Sequence, residues 1–81
     1  MTTTHITTIK IFVEVTKQDH RKVEFDIDRV TGREIKQKAN VSLDDDLGRR
    51  EQGNLVKVEN DEPITIKDGD HFVVFPPGTI S

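Results

Sequence analysis

The sequence contains no cysteine, no tryptophan and no tyrosine, and it has a single methionine. Without cysteine, a disulfide framework, a thiolate nucleophile and a cysteine-based zinc site are all excluded. No apolar run approaches the ~20 residues that span a bilayer, and the segment Met1-Thr2-Thr3-Thr4-His5 lacks the basic and apolar regions of a secretory signal. We therefore expect a cytoplasmic protein that does not associate with membranes.

Charge and side-chain composition narrow the class of protein further. The 12 basic and 15 acidic residues give a formal net charge of −3, whereas a protein that binds nucleic acid through its phosphates needs a basic face. Isoleucine and valine account for 17 of the 24 Ile, Val, Leu and Phe residues, and there is one alanine. Because β-branched side chains favour strands, the 81 residues predict one small α+β domain built mainly on a sheet, without a nucleic-acid partner.

The first half of the chain shows two periodicities. Apolar and polar residues alternate in Ile9–Thr16 and again in Lys22–Asp28, which predicts an antiparallel hairpin with one buried face. Thr31 and Glu34 then match a capping box, in which each side chain satisfies the other residue's backbone N–H, and a short helix follows. We expect Asn40 to end this helix, because asparagine tolerates the left-handed conformation.

The predicted helix is short and has few apolar residues. Ile35 and Ala39 fall on one helical face, whereas Lys36 and Lys38 are expected to point to water. A helix of this kind is stable only when its apolar face is packed against other elements. We therefore expect it to lie on the apolar face of the hairpin.

The second half of the chain contains the most hydrophobic strand. Gly53-Asn54 indicates a two-residue turn between strands at Leu47–Glu51 and Leu55–Glu59, and His71–Phe75 is apolar on both faces. The long connection allows this last strand to insert centrally, beside the first strand and parallel to it. The expected fold is β-grasp, a mixed sheet of four or five strands with one main helix packed across it.

The predicted organisation has three parts. Residues 1–8 form a flexible lead-in, residues 9–75 form the domain, and residues 76–81 form an extended tail. The side chains expected to be buried are Val13, Val23, Phe25, Ile27, Ile35, Phe72 and Val74. We expect the domain to be a monomer.

The residues that could carry chemistry do not form a catalytic or metal-binding set. His5, His20 and His71 lie in the lead-in, a turn and a strand start, without the spacing of metal ligands. The glycines are isolated, which argues against a phosphate-binding loop, and no serine or threonine lies beside an evident base. We predict that the protein is not an enzyme and that it needs no metal or cofactor.

Three apolar residues lie where a solvent-facing surface is expected. If Phe72 and Val74 point to the core, Val73 and Phe75 point away from it, and Phe12 lies on the outer face of its own strand. With the first and last strands adjacent, these three side chains predict an apolar patch of the kind that binds a partner. The alternatives are a register in which Val73 and Phe75 pack inward, or a tail that covers the patch.

The tail that follows the last strand is also unusual. Phe75 precedes a proline and is held extended, and Pro76 and Pro77 favour polyproline geometry, so the tail is expected to project stiffly from the sheet. Gly78 is the first residue past the prolines that has no Cβ. The alternative is an ordinary frayed terminus, in which proline only ends the strand ladder.

Three segments resemble a known family. They are Thr31-Gly32-Arg33-Glu34-Ile35, the segment from Asp61 to Phe72, and Pro76-Pro77-Gly78. Together they are similar to the bacterial multiubiquitin-type domains, ubiquitin-like modules encoded near homologues of activating enzymes, conjugating enzymes and JAB-type peptidases. The resemblance covers about Ile9 to Gly78. It implies a ubiquitin-like β-grasp fold and a bacterial protein modifier whose C-terminus is activated and joined to a target protein.

The resemblance also implies partners and a processing site. The expected partners are activating-enzyme-like, conjugating-enzyme-like and JAB-type peptidase proteins. The chain departs from the family in having no Gly-Gly pair, in having Thr79-Ile80-Ser81 beyond its tail glycine, and in carrying one domain where many relatives carry several. We therefore expect the peptidase to cleave between Gly78 and Thr79, which leaves Gly78 as the conjugating end. The alternative is activation through Ser81 without trimming.

Two other functions stay open at this stage. A ubiquitin-like binding module that is never conjugated would work unchanged after deletion of the tail. A sulphur-carrier protein, which also has the β-grasp fold, normally ends in the Gly-Gly pair that this chain lacks.

Overall fold

The structure, a computed structural model, describes residues 8–78 of the chain. Its strands are β1 (Ile9–Thr16), β2 (Asp19–Phe25), β3 (Arg29–Thr31), β4 (Asp46–Glu51), β5 (Asn54–Val58), β6 (Pro63–Thr65) and β7 (His71–Phe75). The helix α1 spans Gly32–Lys38. The sequence alternation that predicted the first strand therefore corresponds to β1 over its whole length.

A mixed five-stranded sheet organises the domain. Its strand order is β2-β1-β7-β4-β5, and a separate two-stranded sheet is formed by β3 and β6. The central strand β7 runs parallel to β1, with Phe72 opposite Val13, and antiparallel to β4. The predicted central insertion of the last strand beside the first is confirmed. The molecule is a small α+β domain with one helix among its described residues.

The helix begins at the predicted capping box. The Thr31 hydroxyl accepts a hydrogen bond from the Glu34 backbone N–H at 3.3 Å, and the Thr31 N–H donates to Glu34 Oε1 at 2.9 Å. At the other end, the Arg21 guanidinium of β2 donates to the carbonyl oxygens of Ala39 and Asn40. Asn40 has φ of 59°, so the predicted left-handed stop is confirmed.

The core lies between the helix and one face of the five-stranded sheet, here called the inner face. Its buried side chains are Ile9, Ile11, Val13, Val23, Phe25, Val30, Ile35, Ala39, Leu47, Val58, Ile66 and Phe72. Five of the seven residues that the sequence placed in the core are buried there, and Val74 is half-buried against it.

Ile27 was wrongly predicted to be buried. Its side chain is 57% exposed, although it continues the alternation of Val23 and Phe25. The reason is that β2 ends at Phe25, and the chain bends away from the sheet before β3 begins. The alternation of apolar and polar residues in the sequence thus extends beyond Phe25, where the strand itself ends.

Lys36 was wrongly predicted to point to water. Its side chain is buried, and Nζ donates to the Asn60 Oδ1 atom at 2.8 Å and to the Leu43 carbonyl oxygen at 3.4 Å. Desolvation lowers the pKa of Lys36 from its ordinary value of 10.5, and the carboxylates of Asp46 and Asp45 oppose that shift. Lys36 therefore ties the helix to the two loops that flank β4 and β5.

The β4–β5 hairpin turns at Gln52-Gly53, one residue before the predicted Gly53-Asn54. Glu51 pairs with Asn54, and φ is 50° at Gln52 and 84° at Gly53. Two successive positive φ values are typical of a type I′ turn, whose twist matches that of the flanking strands. Asn54 is consequently the first residue of β5.

Candidate functional site

The outer face of the five-stranded sheet, opposite the core, carries an aromatic pair at its centre. Phe12 of β1 lies opposite His71 of β7 in the parallel register, and their rings stack with centroids 5.2 Å apart and planes 21° apart. Phe12 is 37% exposed and His71 is also exposed. The neighbouring core residues Ile11 and Val13 occupy the inner face, so the alternation of β1 directs Phe12 outward.

A shallow concavity of about 390 Å³ surrounds this aromatic pair. It is lined by Phe12, Glu14, His20, Arg50, His71 and Phe72. The His20 Nε2 and Glu14 Oε1 atoms lie 3.3 Å apart at the surface. The site thus combines an apolar floor with polar groups of both charge signs at its rim, an arrangement suited to holding an apolar side chain of a partner protein.

The ionisable side chains that line the concavity are Glu14, His20, Arg50 and His71. Neither serine, threonine nor cysteine lines it. Within residues 8–78, no group of three or more His, Cys, Asp or Glu side chains could hold a metal ion.

Val73 was wrongly predicted to be partly exposed. It lies on the outer face, opposite Glu14 of β1 and Gly48 of β4, yet only 6% of its side chain is exposed. Val73 lies in the middle of the central strand β7, and the strands on its two sides, β1 and β4, shield its side chain from solvent. Phe75, farther along β7, is half-buried.

The three residues of the predicted patch therefore differ in accessibility. Val73 does not join the core cluster, so the alternative register with Val73 packed inward is not what the structure has. Phe12 is the most accessible of the three, whereas Val73 is buried between its neighbours on the outer face. Their role in binding a partner stays a prediction.

Residues 76–78, the described part of the tail, do not project from the sheet as the prolines suggested. Gly78 has φ of 84°, and its backbone N–H donates to the Asp46 Oδ2 atom at 3.1 Å. Asp46 begins β4 directly opposite Phe75, the last residue of β7. The chain therefore turns at Pro77-Gly78, and this turn lies against the first residue of β4. The predicted processing residue Thr79 and the alternative end Ser81 lie outside the described residues, as does His5.

Three residues of this region, Asp46, Arg50 and His71, were not predicted from the sequence to belong to a functional site. Asp46 belongs to the run Asp44-Asp45-Asp46, which has the composition of a solvated loop, and nothing local distinguishes its third member. Arg50 lies on a charged strand, where its position beside the aromatic pair depends on the strand order. His71 could have been found, because the alternation of β7 places it on the same face as Val73.

Among the described residues, no helix has the length and apolar character needed to span a membrane.

A function can be argued from two features of the described residues. They are the apolar side chains at the outer face and the hydrogen bond between the Gly78 N–H and the Asp46 carboxylate. Comparison of the chain with models of protein families, with curated proteins and with solved structures finds no match.

Proposed function

We propose that the chain is a bacterial, cytoplasmic ubiquitin-like protein modifier with the β-grasp fold. In this proposal a partner adenylating enzyme activates its C-terminal end, and a conjugating enzyme joins that end to target proteins. The observation that carries the proposal is the central position of β7, parallel to β1 and continuing without a break into Pro76-Pro77-Gly78. Activation after β7 requires this segment to be accessible to an enzyme, and Pro76, Pro77 and Gly78 are exposed although the Gly78 N–H donates to Asp46.

Gly78 is the proposed conjugating end. Activation transfers AMP from ATP to a terminal carboxylate and releases pyrophosphate, and an enzyme thiol then displaces the AMP. A residue without Cβ offers the least steric obstruction to both attacks. Gly78 is exposed, and a Cβ added to it would meet no described atom within 4 Å apart from its chain neighbours, so one side of the residue is open to an enzyme.

Residues beyond Gly78 have to be removed in this proposal. A JAB-type metallopeptidase would use its zinc-bound water to attack the Gly78 carbonyl carbon, with the Thr79 amine as leaving group. The exposure of Pro76, Pro77 and Gly78 supports access by such an enzyme. The chain itself supplies the substrate and no catalytic group, so we propose that it is not an enzyme.

The first test compares processing and conjugation with a matched glycine variant. We expect co-expression with an adenylating enzyme and a JAB-type peptidase of the kind that accompanies multiubiquitin-type domains to remove residues 79–81 and to give covalent adducts on denaturing gels. Gly78→Val should abolish the adducts, because a branched Cβ obstructs the activated carbonyl. Gly53→Val is the control, since Gly53 has the same φ of 84° and is also exposed, but lies at a hairpin tip.

Intact mass and gel analysis distinguish the possible results of that test. Full conjugation with unchanged mass would contradict Gly78 as the end and would support Ser81. A chain lacking residues 76–81 that retains every activity would contradict conjugation altogether. Loss of adducts in both glycine variants would mean that strain, and not the position of Gly78, is responsible.

A non-conjugated ubiquitin-like binding module is the second candidate, and two observations favour it. The Asp46 carboxylate holds the Gly78 N–H close to the sheet, and the outer face offers a concavity beside Phe12 and His71. Such a module would recognise its partner through this face alone. Deletion of residues 76–81 would then leave its binding unchanged.

The outer face is the proposed docking surface in both candidates. We expect Phe12→Asp to weaken binding of the adenylating protein by about 30-fold or more, because a carboxylate on the apolar floor removes a central anchor. Ile27→Asp is the matched control, since Ile27 is an exposed apolar residue outside this concavity. Isothermal titration with both folded variants measures the difference. Equal binding by Phe12→Asp and the wild type would place the partner surface elsewhere.

A further inference from the structure

The hydrogen bond between Asp46 and Gly78 connects two points that are 32 residues apart in the chain. The Asp46 side chain is only 12% exposed, and Lys57 Nζ lies 3.9 Å from its Oδ1 atom. The carboxylate therefore occupies a defined position at the start of β4 and presents its other oxygen, Oδ2, to the tail. A backbone N–H that meets an ionised carboxylate forms a stronger hydrogen bond than one that meets a neutral acceptor.

The backbone conformation of Gly78 conflicts with presentation of the tail to an enzyme. Hydrolytic enzymes that act on peptide chains bind the residues around the scissile bond in extended form, and φ in extended backbone is strongly negative. Gly78 has φ of 84°. Presenting the bond between Gly78 and Thr79 thus requires rotation about the N–Cα bond of Gly78. An enzyme that pairs with the main chain of an extended substrate also takes the Gly78 N–H, and it must then displace the Asp46 carboxylate.

We propose that Asp46 is a latch, because its carboxylate holds Gly78 in the turn at Pro77-Gly78. The tail becomes a substrate only when this hydrogen bond opens. The significance of the latch for modifier processing rests on the proposed function, but the latch itself does not. It slows every enzyme that needs the tail extended, and it leaves recognition at the outer face unaffected. Asp46 is thus a positioning residue that touches the tail without taking part in bond cleavage.

A carboxypeptidase of broad specificity tests the latch without any cognate partner. It removes Ser81, Ile80 and Thr79 in turn from the 81-residue chain, and intact mass follows each step. Only the last of these steps places Gly78 next to the scissile bond. We expect Asp46→Ala to accelerate that step by about fivefold, the factor that corresponds to the ~1 kcal/mol of a typical net hydrogen bond. The removal of Ser81 is expected to keep its wild-type rate.

Two matched variants separate the latch from a general effect of charge or stability. Asp46→Asn keeps an oxygen acceptor of the same size but loses the charge, so its rate should lie between that of the wild type and that of Asp46→Ala. Asp45→Ala removes a neighbouring negative charge, and within residues 8–78 the Asp45 side chain makes no hydrogen bond or ion pair with the tail. This variant should be cleaved at the wild-type rate. Acceleration by Asp45→Ala equal to that by Asp46→Ala would overturn the latch.

Amide hydrogen exchange gives a second measurement that needs no variant. In the wild-type protein the Gly78 N–H should exchange about fivefold more slowly than in an unstructured peptide of the same sequence, since it is bonded for most of the time. Exchange at the peptide rate would overturn the latch. If Gly78 is protected and Asp46→Ala releases it, yet the JAB-type protein never trims any variant, the latch stands and the proposed function fails.

Discussion

Replacing Phe72 by alanine is expected to lower the free energy of unfolding by about 3–5 kcal/mol. Phe72 is 1% exposed and lies on the central strand, opposite Val13 of β1 and Arg49 of β4. Truncation of Phe72 leaves a cavity beside the strands β1 and β4. Neither strand can move in to fill it without breaking its hydrogen bonds to β7. Because small domains have a total stability of about 5–15 kcal/mol, urea unfolding should show a large fall in the midpoint.

Phe12→Ala is the matched control for that prediction. Phe12 belongs to the same sheet and to a strand that pairs with β7, but its ring is on the outer face and stacks on His71. We expect its loss to cost about 1 kcal/mol or less, since the site is open to water and no closed cavity forms. Equal losses for the two variants would mean that the outer face is as closely packed as the core.

Gly32→Ala is expected to destabilise the domain by about 1–3 kcal/mol or more, although alanine is the better helix former. A Cβ at Gly32 would overlap the Glu59 carbonyl oxygen and would lie 3.2 Å from Val58 Cγ1. The Arg33 N–H also donates to the Asn60 carbonyl oxygen at 3.1 Å, so the helix start is held against this loop. Backbone atoms have to move to admit a methyl group, and thermal unfolding measures the cost.

Gln37→Ala provides the opposite expectation in the same helix. Gln37 is exposed, and a change to alanine at such a position alters little beyond helix propensity. We expect its effect to stay within about 0.5 kcal/mol of the wild type. A Gly32→Ala variant as stable as Gln37→Ala would contradict the close approach of the helix to the Glu59 backbone.

The features that could be predicted from the sequence are those that depend on short-range contacts. The alternation of Ile9–Thr16 defines a strand, and the pair Thr31 and Glu34 defines the helix start, because the interacting groups are only a few residues apart. The parallel pairing of β1 with β7 also followed from the pattern, since a strand apolar on both faces is best accommodated at the centre of a sheet. The resemblance to a modifier family added the expectation of function.

Contacts between residues that are far apart in the sequence became evident only from the tertiary structure. Lys36 is buried because two loops cross its side of the helix, and Val73 is covered because a strand lies on each side of it. The contact between Asp46 and Gly78 likewise needs β4 and β7 to be neighbours in one register. Hydropathy records how much water a side chain avoids and carries no information on which distant segment will cover it, so these contacts exist only once the strands are ordered.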